Sequence, residues 1–355
     1  MKYLKFLLIF IPINIICLFM KVSPTIVFIT SALSIIPLAG LIGEATEELA
    51  IYTGPKVGGF LNATFGNATE LIISIFALKA GLFEVVKSSL AGSIIGNTLL
   101  VLGLSMLCGG IKFKTQKFNK KVSDITSSML LFAVIGLCIP AIFMHTLNPE
   151  LLNTKYEYIS VIVAVIMFVI YLFSLLFTFF THKDVFAPVI KEEDLRETKE
   201  EEVAKWSLTT TIIILLVVTI CIAIESEILV DAVKPMTESL GLSEFFVGII
   251  VIPIIGNAAE HSTAVIMAMK NKMDIATEIA LGSSLQIILF VAPVTVFISL
   301  LFKPMSIIFN PFELVSLIAS VVIANKVAID GESNWLEGLL LIAIYIILAV
   351  AFYVL

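Results

Sequence analysis

The chain has 355 residues, of which 59% are hydrophobic and 14% charged, and its net charge at pH 7 is −6. Soluble proteins carry about 25% charged residues, so this composition and a mean hydropathy of +1.09 exclude a soluble globular protein. The acidic balance argues against nucleic acid as a partner, and four cysteines in separate apolar runs exclude a disulfide-stapled secreted fold.

Apolar segments of membrane-crossing length follow one another along the whole chain, since a helix needs about 20 apolar residues to cross a bilayer. Eleven are predicted, at residues 5–20, 24–43, 56–79, 83–107, 122–144, 155–181, 206–230, 243–269, 275–300, 306–325 and 335–355. Most of the 22 Lys and Arg residues then fall in loops on one side, which predicts a cytoplasmic N-terminus. The predicted fold is an all-α, multi-pass integral membrane protein with eleven transmembrane helices.

One charged stretch interrupts the apolar pattern between the sixth and seventh segments. Residues 191–205 read KEEDLRETKEEEVAK. This stretch is either a solvated linker helix, supported by Glu and Lys one turn apart, or a cytoplasmic acidic segment that gathers or senses divalent cations. The predicted organisation is an extra N-terminal helix (1–22), a first half (23–182), an acidic linker (183–205) and a second half (206–355).

The two halves contain an internal repeat. Residues 57–104 and 247–294 align without gaps at a constant offset, and the matching residues include Gly-Asn-Ala-x-Glu followed at a fixed distance by Gly-Ser. The copies begin five spans apart, and an odd number of crossings inverts the second copy relative to the first. Inverted repeats are typical of transporters with a substrate site at the midplane. The first span lies outside this symmetry, which predicts a 5 + 5 inverted-repeat core.

The repeat places one glutamate, Glu70 or Glu260, deep in each half. A charge at the bilayer centre costs about 2.5–3.5 kcal/mol on the insertion scale, so two such residues indicate a function. Asn67 precedes Glu70 by three residues and Asn257 precedes Glu260 likewise, so each pair is predicted to share a helix face. Carboxylate and amide oxygens are ligands that Ca²⁺ prefers.

Further polar residues of the repeat are candidates for the same metal site. Two glycines stand directly before the asparagines, and the following spans add hydroxyl and amide side chains. These candidates are Gly66, Gly256, Ser93, Asn97, Ser283, Ser284 and Gln286. The alternative for the serines is close helix packing and hydrogen bonding between helices.

Proton coupling is predicted for the same glutamates, because a carboxylate pair can hold either Ca²⁺ or protons and bound Ca²⁺ favours the ionised forms. His261 directly follows Glu260 and either relays protons or only packs between helices. No phosphate-binding loop, GxSxG or HExxH pattern is present, so we expect no ATP coupling, no hydrolytic enzyme activity and no organic cofactor.

Four sequence stretches resemble the signature repeats of the Ca²⁺/H⁺ antiporters, the cation/proton exchanger branch of the Ca²⁺/cation antiporter superfamily. They are GNATELIISIFALKAG, GSIIGNTLLVLGL, GNAAEHSTAVIMAMKNKMD and GSSLQIILFVAP. The resemblance implies a site built on Glu70 and Glu260, and it implies that spans two and seven slide past the core to alternate access. Two features depart from strict repeat symmetry: Asn97 aligns with Ile287, and His261 aligns with Leu71.

Two other transport functions remain as alternatives. The Na⁺/Ca²⁺ exchangers of the same superfamily place hydroxyl residues and a proline around the glutamate, whereas Gly66, Asn67, Gly256 and Asn257 stand at the first two positions here. That difference favours H⁺ as the coupling ion. A glutamate-lined cation channel suits an inverted repeat less well than one alternating site.

The predicted partners are Ca²⁺ as transported substrate, H⁺ and the lipid bilayer, and a homo-oligomer is left open. A prokaryotic plasma membrane is predicted, with a vacuolar membrane as the alternative.

Overall fold

The structure is a computed structural model that describes residues 4–146, 155–186 and 204–355, which are almost entirely helical. The first half contains α1 (Phe10–Phe19), α2 (Pro24–Phe65), α3 (Ala68–Lys79), α4 (Phe83–Ile95), α5 (Leu102–Phe113), β1 (Thr115–Lys117), α6 (Lys120–Thr146), α7 (Lys155–Leu176) and α8 (Lys183–Phe186). The second half contains α9 (Leu208–Leu240), α10 (Glu244–Phe246), α11 (Ile252–Gly256), α12 (Ala258–Met269), α13 (Met273–Gln286), α14 (Ala292–Ser299), α15 (Pro311–Ala328), β2 (Glu332–Asn334) and α16 (Trp335–Val354). Short 3₁₀ or π-helical segments lie at Leu4–Ile9, Gly96–Val101, Phe177–Thr181, Val247–Val251 and Ile287–Val291.

The number of membrane crossings is close to the predicted eleven but does not confirm it. Among the described residues, eight helices are long and apolar enough to cross a bilayer, or ten if each of two bent helix pairs is one span. The first predicted span corresponds to a shorter apolar helix, Lys5–Phe19. The protein is thus an all-α multi-pass membrane protein, and the eleventh crossing stays a prediction. Most of the predicted acidic linker lies outside the described residues.

Helix ends follow local sequence signals. α15 and α16 each begin with a capping box, in which Asn310 or Asn334 accepts from the backbone and Glu313 or Glu337 reaches back to it. Ser207 caps the start of α9, since its hydroxyl accepts from the Thr210 amide, and α2 begins with a proline in its first turn. These caps satisfy backbone groups that a helix leaves unpaired at its ends.

Two breaks interrupt long helices at equivalent positions of the repeat. The chain bends by 41° between Val57–Phe65 and α3, and by 60° between Glu244–Gly256 and α12. Asn67 and Asn257 stand at these breaks, with φ/ψ of −102°/21° and −94°/6°. Asn67 and Asn257 are therefore the residues directly before the helices that carry Glu70 and Glu260, and the shared helix face of each pair stays a prediction.

The predicted separation of spans two and three is confirmed, but the second span is longer than predicted. The helix that begins at Pro24 continues through residues 44–53, and Gly54, at φ 77° and ψ 170°, separates it from the helix that follows. A positive φ is cheap for glycine because it has no Cβ. The acidic stretch around Glu47 is rich in good helix formers, so α2 carries on where the hydropathy falls.

A small two-stranded sheet joins the two halves at the side where charged loops gather. β1 pairs antiparallel with β2, so that Gln116 faces Ser333. Gln116 is buried, and its Nε2 donates to the Ala268 carbonyl at 2.9 Å and to Asn271 Oδ1 at 3.0 Å. These bonds hold the C-terminal end of α12.

The buried apolar side chains form two separate clusters. The larger one fills the protein and includes one end of α2 and of α9, through residues such as Phe28 and Val230. The smaller one joins the other ends of the same two helices to each other, through Leu38, Ile42, Ala45, Leu215, Val218 and Ile222. The α2–α9 pair is therefore packed on the main core at one end, and at the other its smaller cluster is contacted by residues of α1 and α3 such as Ile11 and Ile72.

Candidate ion-binding site

The two glutamates of the repeat lie in the first turns of broken helices. Glu70 is in the first turn of α3 and Glu260 in the first turn of α12. Each helix N-terminus favours a negative charge at this position. Glu70 is buried and Glu260 is half-buried, and their carboxylates are near enough to interact electrostatically.

A glycine of one half faces the glutamate of the other half. A β-carbon placed on Gly66 would lie 3.7 Å from Oε1 of Glu260, and one placed on Gly256 would lie 3.3 Å from Oε1 of Glu70. At each helix break the glycine backbone thus lies next to the glutamate carboxylate of the other half. The two halves meet here as the inverted repeat requires.

The asparagines at the breaks are fully buried and donate across the interface between halves. Asn67 Nδ2 donates to Gln286 Oε1 at 2.5 Å, and Asn257 Nδ2 donates to Ser93 Oγ at 3.1 Å. Asn257 Nδ2 also donates to the Pro253 carbonyl at 3.0 Å. These bonds use the amide NH₂ groups and so orient the amide oxygens.

Three buried oxygens around the carboxylate pair have no hydrogen-bond partner among the described residues. They are Oδ1 of Asn67, Oδ1 of Asn257 and Oε2 of Glu70. A buried acceptor without a donor costs about 1–3 kcal/mol, so three together at one place need an explanation. A cation is one ligand that satisfies several oxygens at once.

The remaining predicted residues also contact one another at this place. Ser283 Oγ donates to Glu260 Oε2 at 2.6 Å, and His261 Nε2 lies 3.2 Å from Asn97 Oδ1. Ser284 does not join them, because its hydroxyl donates to the Ala280 carbonyl of its own helix.

Two serines of the site were missed by the sequence reasoning. A cavity beside Glu70 is lined by residues of α3, α4 and α11, among them Ser74, Ser89, Ser93, Pro253 and Gly256. Ser74 follows Glu70 by one helical turn and Ser89 precedes Ser93 by one turn. Helical spacing from the predicted residues could therefore have identified both.

The oxygen donors gathered here suit a hard, oxygen-ligated cation. In the described ranges, no three His, Cys, Asp or Glu side chains come together, so an ion bound between the two carboxylates would take its other ligands from amide, hydroxyl and backbone oxygens. Ca²⁺ accepts 6–8 oxygens in irregular geometry, which suits such a mixed set.

Comparison with known proteins identifies the family. The model of the family described as sodium/calcium exchanger protein matches residues 23–180 and 210–354, and so covers both copies of the repeat. The chain belongs to this family. Within the matched ranges of the sodium/calcium exchanger family lie both glutamates and both helix breaks.

Relatives of this family member are similar over nearly its whole length. A Ca²⁺/H⁺ antiporter of Aphanothece halophytica is 48% identical over 98% of this chain and 95% of the relative. A Ca²⁺/H⁺ antiporter of Synechocystis sp. is 46% identical over 99% and 97% of the two chains. The crystal structure of the selenium-substituted Ca²⁺/H⁺ antiporter protein YfkE is 39% identical, covers 100% of both chains and has a TM-score of 0.83. The resemblance to the Ca²⁺/H⁺ antiporters is thereby confirmed.

Proposed function

We propose that the chain is a secondary active antiporter that exchanges Ca²⁺ for H⁺ across a membrane by alternating access. The observation that carries the proposal is the set of unpartnered buried oxygens of Asn67, Asn257 and Glu70 beside the Glu70–Glu260 pair. The names of the relatives, Ca²⁺/H⁺ antiporter, agree with it.

In this proposal Ca²⁺ lies between the two carboxylates. The amide oxygens of Asn67 and Asn257 complete the site together with hydroxyl groups of Ser93 and Ser283. Backbone oxygens at the breaks beside Gly66 and Gly256 are further ligands, and Asn97 and Gln286 orient the site through their hydrogen bonds to His261 and Asn67. No ion pair found among the described residues includes either glutamate, so no cation of the protein competes with Ca²⁺.

Exchange follows from competition for the same carboxylates. Bound Ca²⁺ favours the ionised forms, whereas two carboxylates without a cation repel each other and bind protons instead. Without Ca²⁺ or protons, the site holds two uncompensated carboxylates. Closing the protein around them buries both charges, which costs free energy and disfavours the conformational change. Only the Ca²⁺-loaded and the protonated forms then change sides, which couples the two fluxes. We propose that His261 contributes to this proton coupling.

The packing of α2 and α9 supports alternating access. One end of the pair belongs to the main core, while the other end belongs to a separate apolar cluster, which is compatible with a helix pair that slides past the core. Glu260 is half-buried while Glu70 is buried. We propose that the site is open towards the side on which the charged loops after α5 and α12 lie, which the positive-inside rule assigns to the cytoplasm.

The experiment is ⁴⁵Ca²⁺ uptake into sealed proteoliposomes with an imposed pH gradient, acid inside. We expect uptake by the wild type that collapses with a protonophore and does not need Na⁺. Glu70→Gln and Glu260→Gln should abolish uptake, since glutamine cannot ionise. Glu238→Gln, at the exposed end of α9, is the control and should transport normally.

Other outcomes would overturn parts of the proposal. Uptake that requires internal Na⁺ would assign the chain to Na⁺-driven Ca²⁺ exchange. Flux that ignores the pH gradient would support a channel. Uptake that survives both glutamine variants would place the ion site elsewhere.

A further inference from the structure

A second buried carboxyl group lies outside the proposed ion site. Glu225 is on α9, near the middle of this 33-residue helix, and only 1% of the residue is exposed. It does not line the cavity beside Glu70. It stands where the two clusters of the α2–α9 pair meet, because Ile222 belongs to the smaller cluster and Leu229 to the main core.

Hydrogen bonds through Asn14 join this carboxyl to the N-terminal helix and to α2. Asn14 of α1 is fully buried, and its Nδ2 donates to Glu225 Oε2 at 2.6 Å and to Ser31 Oγ at 2.9 Å. Thr30 Oγ1 donates to Asn14 Oδ1 at 2.8 Å. One amide therefore connects three helices, α1, α2 and α9.

Among the described residues, no ion pair includes Glu225. A titratable neighbour that interacts with it is Cys221, one turn earlier on α9. From α3, Lys79 pairs with the exposed Glu227 at 3.2 Å. From the segment preceding α1, Lys5 pairs with Glu44 of α2 at 2.8 Å.

The two oxygens of the Glu225 carboxyl differ in their surroundings. Oε2 accepts from Asn14, whereas Oε1 has no donor among the described residues. Ser34 of α2 neighbours the carboxyl, and its hydroxyl already donates to the Thr30 carbonyl at 2.8 Å. The Ser34 oxygen keeps its lone pairs and can accept a hydrogen bond, which a carboxylic acid could donate and a carboxylate could not.

We propose that Glu225 is a second proton-binding site, separate from the Glu70–Glu260 pair. The proton resides on Oε1 and is donated towards Ser34 Oγ while Asn14 donates to Oε2. Loss of the proton to water leaves an uncompensated buried carboxylate, which loosens the packing of α1 against the α2–α9 pair. Because these are the helices proposed to move, the exchange rate falls at alkaline pH as Glu225 ionises.

The first test is an infrared titration of the purified full-length protein, which needs no transport and so stands independently of the proposed function. The wild-type spectrum minus that of Glu225→Gln should contain the C=O stretching band of a protonated carboxylic acid at acidic and neutral pH, and the band should vanish at alkaline pH. Glu227→Gln, two residues away and exposed, is the matched control. The wild-type spectrum minus that of Glu227→Gln should contain no carboxylic acid band that disappears at alkaline pH.

The second test measures ⁴⁵Ca²⁺ uptake at several absolute pH values under a constant pH difference, and this readout rests on the proposed function. We expect wild type and Glu227→Gln to lose activity at alkaline pH and Glu225→Gln to keep it, because glutamine accepts from Asn14 and stays neutral. Ca²⁺ binding by calorimetry should be unchanged in Glu225→Gln.

A second variant keeps the proposal testable if Glu225→Gln does not fold. Asn14→Leu removes the donor to Oε2 and with it a bond that favours the carboxylate, so the infrared band should persist to higher pH. The proposal is overturned if the difference spectrum shows no protonated carboxyl at any pH, or if Asn14→Leu titrates as the wild type does. Uptake profiles of Glu225→Gln and wild type that coincide would overturn the link to transport.

Discussion

At the scale of single residues, the absence of a side chain at Gly256 leaves room for a carboxylate of the opposite half. A β-carbon on Gly256 would crowd Oε1 of Glu70 at 3.3 Å, whereas one on Gly66 would make an ordinary contact with Oε1 of Glu260 at 3.7 Å. Other glycines of the repeat do not face a carboxylate: a β-carbon on Gly92 would clash with the Ile249 backbone, and one on Gly282 would meet nothing within 4 Å. The motif glycines are therefore not equivalent.

Gly256→Ala should weaken Ca²⁺ binding without unfolding the protein, since the added methyl crowds Oε1 of Glu70. Overpacking of this kind costs about 1–3 kcal/mol, which is a loss of roughly five- to 150-fold in affinity. Calorimetry on the detergent-solubilised protein measures it. Gly282→Ala is the matched control and should bind as the wild type does; equal weakening in both variants would contradict the argument.

A second residue-scale prediction concerns His261, whose imidazole contacts Asn97. His261→Gln can keep a hydrogen bond to Asn97 but cannot take up a proton near neutral pH. If His261 contributes to proton coupling, this variant should exchange Ca²⁺ more slowly while binding it equally well. A rate equal to that of wild type would reduce His261 to a packing residue.

At the scale of elements, the breaks in the helices determine where the polar groups point. A break frees backbone groups and turns two helix ends towards the same place. The strand β1 has a supporting role, because Gln116 holds the far end of α12, the helix that carries Glu260. Gln116 thus holds the C-terminal end of α12, while Ser283 donates to Glu260 in the first turn of the same helix.

Gln116→Ala should destabilise the protein by about 0.5–1.5 kcal/mol for each hydrogen bond lost, because it removes the bonds to Ala268 and Asn271 while the Ala268 carbonyl keeps the Asn271 amide as a donor. Thermal unfolding in detergent would reveal a lower midpoint. Lys117→Ala removes the neighbouring side chain of β1, which is 80% exposed in its ion pair with Glu332, and should change stability by no more than about 0.5 kcal/mol. If both variants unfold alike, Gln116 is not what secures α12.

The sequence was sufficient for the repeat and for the polar residues, but not for the helix breaks. Glu70, Glu260 and their partners share an offset that apolar residues alone would not produce, so they could be found by alignment within the chain. The bends at Asn67 and Asn257 depend on how the two halves pack, and residue spacing carries no such information. Likewise, residues 44–53 are polar enough to suggest a loop, yet the helix that begins at Pro24 extends through them to the break at Gly54.

At the scale of the whole molecule, α2 and α9 form a unit with its own contacts. Glu48 Oε2 of α2 accepts from the backbone of Lys205 at 2.8 Å, and the Tyr52 hydroxyl donates to the Trp206 carbonyl at 2.5 Å. The start of α9 is therefore tied to α2 at the end where the pair leaves the core. The two helices should move together.

Cysteine labelling tests which half of the site is open. Thr263 on α12 and Ile73 on α3 are equivalent in the repeat, but Thr263 is half-buried and Ile73 is only 2% exposed. We expect a membrane-impermeant maleimide to label Thr263→Cys and not Ile73→Cys. The background has alanine at all four native cysteines, Cys17, Cys108, Cys138 and Cys221. Labelling of Ile73→Cys alone would mean that the site opens to the opposite side.

The hydrogen bonds that cross between the halves can form only after both halves have been synthesised. Asn67 donates to a residue 219 positions later in the chain. At a synthesis rate of about 5–20 residues per second, its partner is made roughly 10–45 s after it. During that interval the first half sits in the membrane with its glutamate and asparagine lacking their partners from the second half. The polar residues of the first half must therefore be kept away from lipid until the second half has been synthesised.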